Sequence, residues 1–96
     1  MSAIIKVNYL GDLRTESTHL DSNHKIITDA PKDNNGLGRK FSPTDLVASA
    51  LGSCLLTIMG IVAKRHNINM VGSRIEINKE MQDKPRRISK IHASIF

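Results

Sequence analysis

The feature that most constrains this chain is a run of eighteen residues, 46–63, without a single Asp, Glu, Lys or Arg. Ser42 and Pro43 precede it, and these residue types are favoured at the cap and at the first position of a helix. Asp45 lies in the first turn, where a negative charge meets the positive end of the helix dipole, and the basic residues 64–66 complement the other end. The sequence therefore predicts one long helix that begins at Pro43.

A helix of this composition either spans a membrane or lies in the centre of a soluble domain. Eighteen uncharged residues reach the length of a transmembrane segment. Five of the eighteen are Ser, Thr or Gly, however, which lowers the propensity for insertion, and the flanking segments carry strand and turn patterns. We expect a central helix of a soluble domain, buried on most faces because it is apolar nearly all round, and no membrane partner.

The segments on both sides of the helix have the alternating pattern of strands. Three such segments precede it (5–10, 14–20 and 24–28), followed by a Gly- and Asn-containing loop (29–40), and two follow it (70–78 and 87–96), separated by a turn at 83–85. This order predicts an α+β fold: an antiparallel N-terminal meander, the long helix and further antiparallel strands, in a single domain 1–96. Because the pattern at Phe96 is still that of a strand, we expect the domain to be truncated at its C-terminal end or completed by a second chain.

The chain should also self-associate. It has no Trp, one Tyr and two Phe among 96 residues, so it lacks the large side chains that fill a small core efficiently. Its single cysteine, Cys54, excludes an intrachain disulfide, and no signal-peptide pattern opens the chain. Both observations favour the cytoplasm.

The net charge of +5 comes entirely from residues 61–96, with eight Lys or Arg against three Asp or Glu. Such an excess raises the possibility of a nucleic-acid partner. Phe96 is the only aromatic residue there, too few for base stacking, so we expect no nucleic acid and a solvated basic turn around 84–90. The four histidines (His19, His24, His66 and His92) have no metal-ligand spacing, and the sequence predicts no metal and no cofactor.

Two interpretations of Cys54 are open from the residues alone. Apolar residues recur at helical spacing around it (47, 50, 51, 58 and 61), which favours an inert, buried side chain. The reactive alternative needs a nearby cation, because Cys54 lies twelve residues beyond the helix cap, too far for the first-turn amides to lower its pKa. Arg14 is the candidate cation.

The segment 41–54, FSPTDLVASALGSC, is similar to the signature of the OsmC/Ohr family, which comprises osmotically inducible protein C and the organic hydroperoxide resistance proteins. The resemblance covers about 5–96 and belongs to the OsmC-like branch. It implies an intertwined homodimer and a thiol-dependent peroxidase that reduces organic hydroperoxides in oxidative-stress defence, recycled by a thiol reductant. It further implies that Cys54 is the peroxidatic thiol and that Arg14 holds its thiolate.

The chain departs from the family pattern at two places. The family's glutamate ten positions before the cysteine falls on Thr44, and the adjacent Asp45 is either a substitute partner for Arg14 or only a capping residue. The second, resolving cysteine is absent. This absence keeps an alternative function open: a non-catalytic OsmC-like binding or structural module with an inert core cysteine.

Overall fold

The computed structural model describes residues 4–96, which form two compact units, one ending at Pro43 and the other comprising Thr44–Phe96. Five strands, one long helix and a short 3-10 helix occur in the order β1 Ile5–Gly11, β2 Arg14–His19, β3 His24–Asp29, 3-10 helix Lys32–Asn34, α1 Pro43–Arg65, β4 Ile75–Gln82 and β5 Arg87–Ile95. The predicted α+β class, the N-terminal meander and the central helix are confirmed.

The first unit is an antiparallel sheet in the order β1-β2-β3. Its register places Ile5 opposite His19 and His19 opposite His24, so these three side chains form one row across the sheet. The β2–β3 turn closes with Asn23 in the left-handed conformation (φ 57°), which Asn adopts more easily than most residues. The hairpin thus forms where the sequence predicted it.

The loop that follows β3 is held by its own backbone hydrogen bonds. The N–H of Asp29 donates to the carbonyl oxygen of Phe41 (3.1 Å), and the N–H of Gly38 donates to that of Ala30 (3.1 Å). A Cβ on Gly36 would lie 1.7 Å from the carbonyl oxygen of Ala30, so no side chain fits at this position. The predicted loop is therefore a closed and specific structure that needs glycine at Gly36.

The second unit combines α1 with the β4–β5 hairpin. A Cβ on Gly52 would lie 2.5 Å from Ile77 Cδ1 and 3.6 Å from Ile75 Cγ2, which shows how closely helix and hairpin approach there. An ion pair between Asp45 and Lys79 (Oδ1–Nζ 3.2 Å) adds a second link between the same two elements. The helix bounds agree with the caps predicted from the sequence.

Two expectations need correction. The strand predicted over 70–78 begins only at Ile75, because a turn precedes it, with Gly72 at φ 93° and the N–H of Ser73 bonded to the carbonyl oxygen of Met70 (3.0 Å). Burial of the helix on most faces is also wrong for the described chain. Only its small residues are buried (Ala48, Gly52 and Ala63), because these allow close approach, whereas large apolar side chains are exposed (Val47, Leu51, Ile58, Met59, Ile61 and Val62).

By length and composition alone, α1 is also apolar enough to cross a membrane. Central helices of soluble proteins pass the same test, so the finding does not separate the two classes.

Candidate functional site

Cys54 lies in the middle of α1 as a free thiol with an exposed side chain. The helical spacing of its apolar neighbours predicted burial, and that prediction is wrong for the described chain. The spacing correctly identified an apolar helix face, but within residues 4–96 no element covers the cysteine. An exposed thiol is open to alkylating agents, oxidants and other thiols.

Arg14 is the first residue of β2 and lies opposite Asp29 in the register with β3. Its Nε is buried, and among the described residues this atom has no hydrogen-bond partner. A buried donor without an acceptor costs about 1–3 kcal/mol, so the position favours a partner that supplies one. Arg14 belongs to the first unit and Cys54 to the second.

Asp29 is the charged centre of the first unit, with a side chain that is 0% exposed. Its Oδ2 accepts hydrogen bonds from Arg39 Nε (2.7 Å) and from the Arg39 backbone N–H (3.1 Å). The hydrogen bond from the Arg39 side chain is the largest cause that holds the pKa of Asp29 below its ordinary value. Burial opposes this shift, while the Arg39 backbone bond and the charges of Arg39 and Arg14 assist it. The same side-chain hydrogen bond raises the pKa of Arg39.

Sequence reasoning missed this pair, although both residues were visible at the two ends of the predicted loop. The sequence predicts only that both residues lie in the loop 29–40 and gives no reason to pair them. Nine residues lie between them in the sequence, and closure of the loop onto β3 brings them together. The pair lies directly beside Arg14, so it fixes the charge environment of the predicted thiolate-holding cation.

Asp45 forms its ion pair with Lys79, a partner that the sequence did not suggest. Both residues belong to the second unit. The proposed roles of Asp45, as partner of Arg14 or as capping residue, stay predictions beside this pair. Within residues 4–96, no three His, Cys, Asp or Glu side chains lie close enough together to hold a metal ion.

Comparisons with known proteins place this geometry in a class. The model of the OsmC-like protein family matches residues 35–96, a segment that includes Cys54, Asp45 and the whole second unit. The chain therefore belongs to the OsmC-like family, and the resemblance inferred from 41–54 is confirmed.

A solved structure agrees with this assignment over almost the entire chain. The crystal structure of a proposed osmotic stress induced and detoxification response protein from Psychrobacter arcticus 273-4 is 52% identical, with a TM-score of 0.94. The match covers 99% of this chain and 69% of that one. None of the curated proteins matches the chain significantly.

Proposed function

We propose that this protein is a thiol-dependent peroxidase that reduces organic hydroperoxides, with Cys54 as the attacking thiol. The observation that carries the proposal is the free, exposed Cys54 in the segment matched by the OsmC-like family. The similar Psychrobacter protein, named for osmotic stress and detoxification, fits a role in oxidative-stress defence. A cysteine that meets a hydroperoxide has to be accessible, and Cys54 fulfils that condition.

The chemistry requires only the thiolate and two substrates. The Cys54 thiolate attacks the terminal oxygen of the hydroperoxide, the O–O bond breaks, and the alkoxide leaves as the alcohol after taking up a proton. Cys54 is thereby oxidised to sulfenic acid. Two equivalents of an external thiol then reduce it through a mixed disulfide, releasing water and the disulfide of that reductant. The external thiol is needed because the chain contains no second cysteine.

Arg14 is the proposed cation for the thiolate. The unpartnered buried Nε of Arg14 supports this role, because a thiolate or a peroxide oxygen supplies the acceptor that the atom lacks among the described residues. Asp29, which lies opposite Arg14 in the strand register, already accepts three hydrogen bonds from Arg39. An opposite charge within about 4–6 Å favours the thiolate over the thiol.

The test is oxidation of the purified chain by tert-butyl hydroperoxide. Wild type should give a dimedone adduct at Cys54 or an intermolecular disulfide, and steady consumption of peroxide should require an added dithiol. Arg14→Ala should slow consumption at least tenfold while circular dichroism stays unchanged, and Arg74→Ala, an exposed arginine on the second unit, is the matched control. An unmodified Cys54 under excess peroxide in the folded protein rules out the peroxidase.

The alternative is a non-catalytic OsmC-like module. The absence of a second cysteine from residues 1–96 favours it, whereas the exposure of Cys54 argues against the buried, inert cysteine that this alternative assumes. The rate of Cys54 alkylation against pH separates the two, since an activated thiol reacts well below the ordinary cysteine pKa of about 8.5. A rate that rises only near that value supports the module.

The partners proposed with the peroxidase are a second copy of the chain, the hydroperoxide and a thiol reductant in the cytoplasm, without nucleic acid or membrane. The homodimer rests on exposed apolar side chains that a single chain leaves in water. On α1, Val47 is 55% and Ile58 is 54% exposed, and Val7 on the sheet is 60% exposed. Apolar patches of this kind mark interfaces between proteins.

Light scattering tests the dimer. Wild type at micromolar concentration should have twice the chain mass of 10.6 kDa. Ile58→Asp should give a folded monomer, because a charge in an apolar interface loses its hydration without gaining a partner. Lys64→Asp, a charge change near the end of the same helix, is the control expected to stay dimeric. A monodisperse wild-type monomer contradicts the proposal.

A further inference from the structure

The tip of the β2–β3 hairpin brings two histidines face to face. His19 is the last residue of β2 and His24 the first of β3, and the register pairs them directly. Directly opposed residues have Cβ atoms about 4.5–5.5 Å apart and project from the same face of the sheet. Both side chains are exposed, so both imidazoles are accessible from solvent.

Ser22, in the turn between them, orients one of the rings. Its Oγ lies 2.6 Å from His19 Nδ1 and also accepts the backbone N–H of His24 at 3.2 Å. A hydroxyl oxygen has two lone pairs, so it accepts both hydrogen bonds when His19 carries its proton on Nδ1. In that tautomer the lone pair of His19 lies on Nε2, the atom that is free to bind a metal. A hydrogen bond to the second ring nitrogen is the usual support of a metal-binding histidine.

The two histidines border a cavity on the same face of the sheet. It has a volume of about 420 Å³ and is lined by Ile5, Ser17, His19, Ser22, His24 and Ile26. Ile5 and Ile26 provide apolar walls, so the polar groups of the cavity are the two imidazoles and the two serine hydroxyls. No Lys, Arg, Asp or Glu is among the lining residues. A cation at the imidazoles therefore meets neutral nitrogen and oxygen donors.

We propose that His19 and His24 form a two-imidazole binding site for a divalent late transition metal, with water in the remaining coordination positions. Neutral imidazole suits Cu²⁺, Ni²⁺ and Zn²⁺, and for a nitrogen site the affinity is highest for Cu²⁺. Four residues separate the two histidines, which is the spacing of the histidine half of a zinc-finger motif, but the sequence predicted no metal because the chain has only one cysteine and lacks the Cys half. His19 and His24 lie opposite each other because of the register of the β2–β3 hairpin, which cannot be read from their spacing in the sequence. The site is independent of the proposed peroxidase chemistry at Cys54.

Calorimetric titration of the untagged full chain with Cu²⁺ and Ni²⁺ tests the site. All proteins carry Cys54→Ser, so that the thiol neither reduces nor binds the metal. We expect one equivalent of Cu²⁺ to bind, with Ni²⁺ weaker, and the electron paramagnetic resonance spectrum of the Cu²⁺ complex to show two imidazole nitrogens. His19→Ala and His24→Ala should each weaken binding at least tenfold, and Ser22→Ala should weaken it about tenfold.

His66→Ala and His92→Ala are the matched controls, because both histidines are exposed and lie in the other unit. Their affinities should equal that of the parent. Circular dichroism of every variant verifies the fold, and chemical shifts of the remaining imidazole verify the hairpin in the single-histidine variants. Absence of saturable binding, or unchanged affinity in folded His19→Ala and His24→Ala, overturns the proposal.

Discussion

The loop after β3 and the helix that follows it differ in which kind of side chain is exposed to water. Where the loop leaves β3, the charged side chain of Asp29 is fully buried and accepts three hydrogen bonds from Arg39. In α1, large apolar side chains such as Ile58 are more than half exposed, while the buried positions are small. In folded proteins, buried polar groups are hydrogen-bonded and large apolar side chains are the ones that are buried. Among residues 4–96, the buried Asp29 has its hydrogen-bond partners, whereas large apolar side chains of α1 such as Ile58 are not buried.

The two regions are therefore stabilised by different interactions. The loop is fixed by directional bonds that are all made among the described residues, so its structure should not depend on assembly. The large exposed side chains of α1, such as Val47 and Ile58, are not covered by any of residues 4–96, which is why the proposed second copy matters for the helix and not for the loop. Substitutions in the loop should therefore affect the fold of the first unit, and substitutions on the helix should affect association.

The largest expected effect is that of Gly36→Ala. The new Cβ would lie 1.7 Å from the carbonyl oxygen of Ala30, a backbone atom that cannot move aside without breaking the loop. We expect a loss of at least about 3 kcal/mol in the free energy of unfolding, at the upper end of overpacking costs. Urea unfolding followed by circular dichroism measures it.

Gly11 provides the reference for this substitution, because a Cβ there meets nothing within 4 Å and its φ of +87° costs only backbone strain. Gly11→Ala should therefore destabilise the chain less than Gly36→Ala. Equal losses for the two variants would show that the loop closure is not specific.

The second prediction concerns the pH dependence of the loop. Its Asp29 has a pKa below the unfolded value of about 3.9, so the pair with Arg39 contributes stability that is fully present above that value. The contribution is lost as the pH falls through the lower folded-state pKa. The melting temperature of wild type should thus fall more steeply below pH 4 than that of Asp29→Asn, which should melt lower near neutral pH.

Glu76→Gln is the control, because Glu76 forms an exposed ion pair with Arg74 that contributes little. Its melting curve should follow wild type from pH 7 to pH 3. If Asp29→Asn also followed wild type over this range, the buried pair would have no role in the loop.

Sequence reasoning predicted the elements well because their signals are local. The start signal at Ser42 and Pro43 and the alternation in β1 depend on neighbouring residues, and both α1 and β1 begin where they were predicted. The side-chain arrangements of the candidate sites depend instead on contacts between segments that are distant in the sequence. Exposure of Cys54, the Asp29–Arg39 pair and the His19–His24 pair each depend on which segments meet, and spacing along the chain does not encode this.

The smallest expected effect is the difference in stability between two glycine-to-alanine substitutions in α1, one at Gly52, which faces the β4–β5 hairpin, and one at Gly60, which faces open space. A Cβ at Gly60 meets nothing within 4 Å, so Gly60→Ala should stabilise the helix by about 0.8–1 kcal/mol through propensity alone. At Gly52 the same gain is opposed, because the new Cβ would lie 2.5 Å from Ile77 Cδ1 and the hairpin side chain must shift. We expect the free energy of unfolding, measured with urea, to be higher for Gly60→Ala than for Gly52→Ala by about 1 kcal/mol or more. Should Gly60→Ala instead destabilise the chain in proportion to a loss of dimer, the open space at Gly60 would be occupied by the second copy.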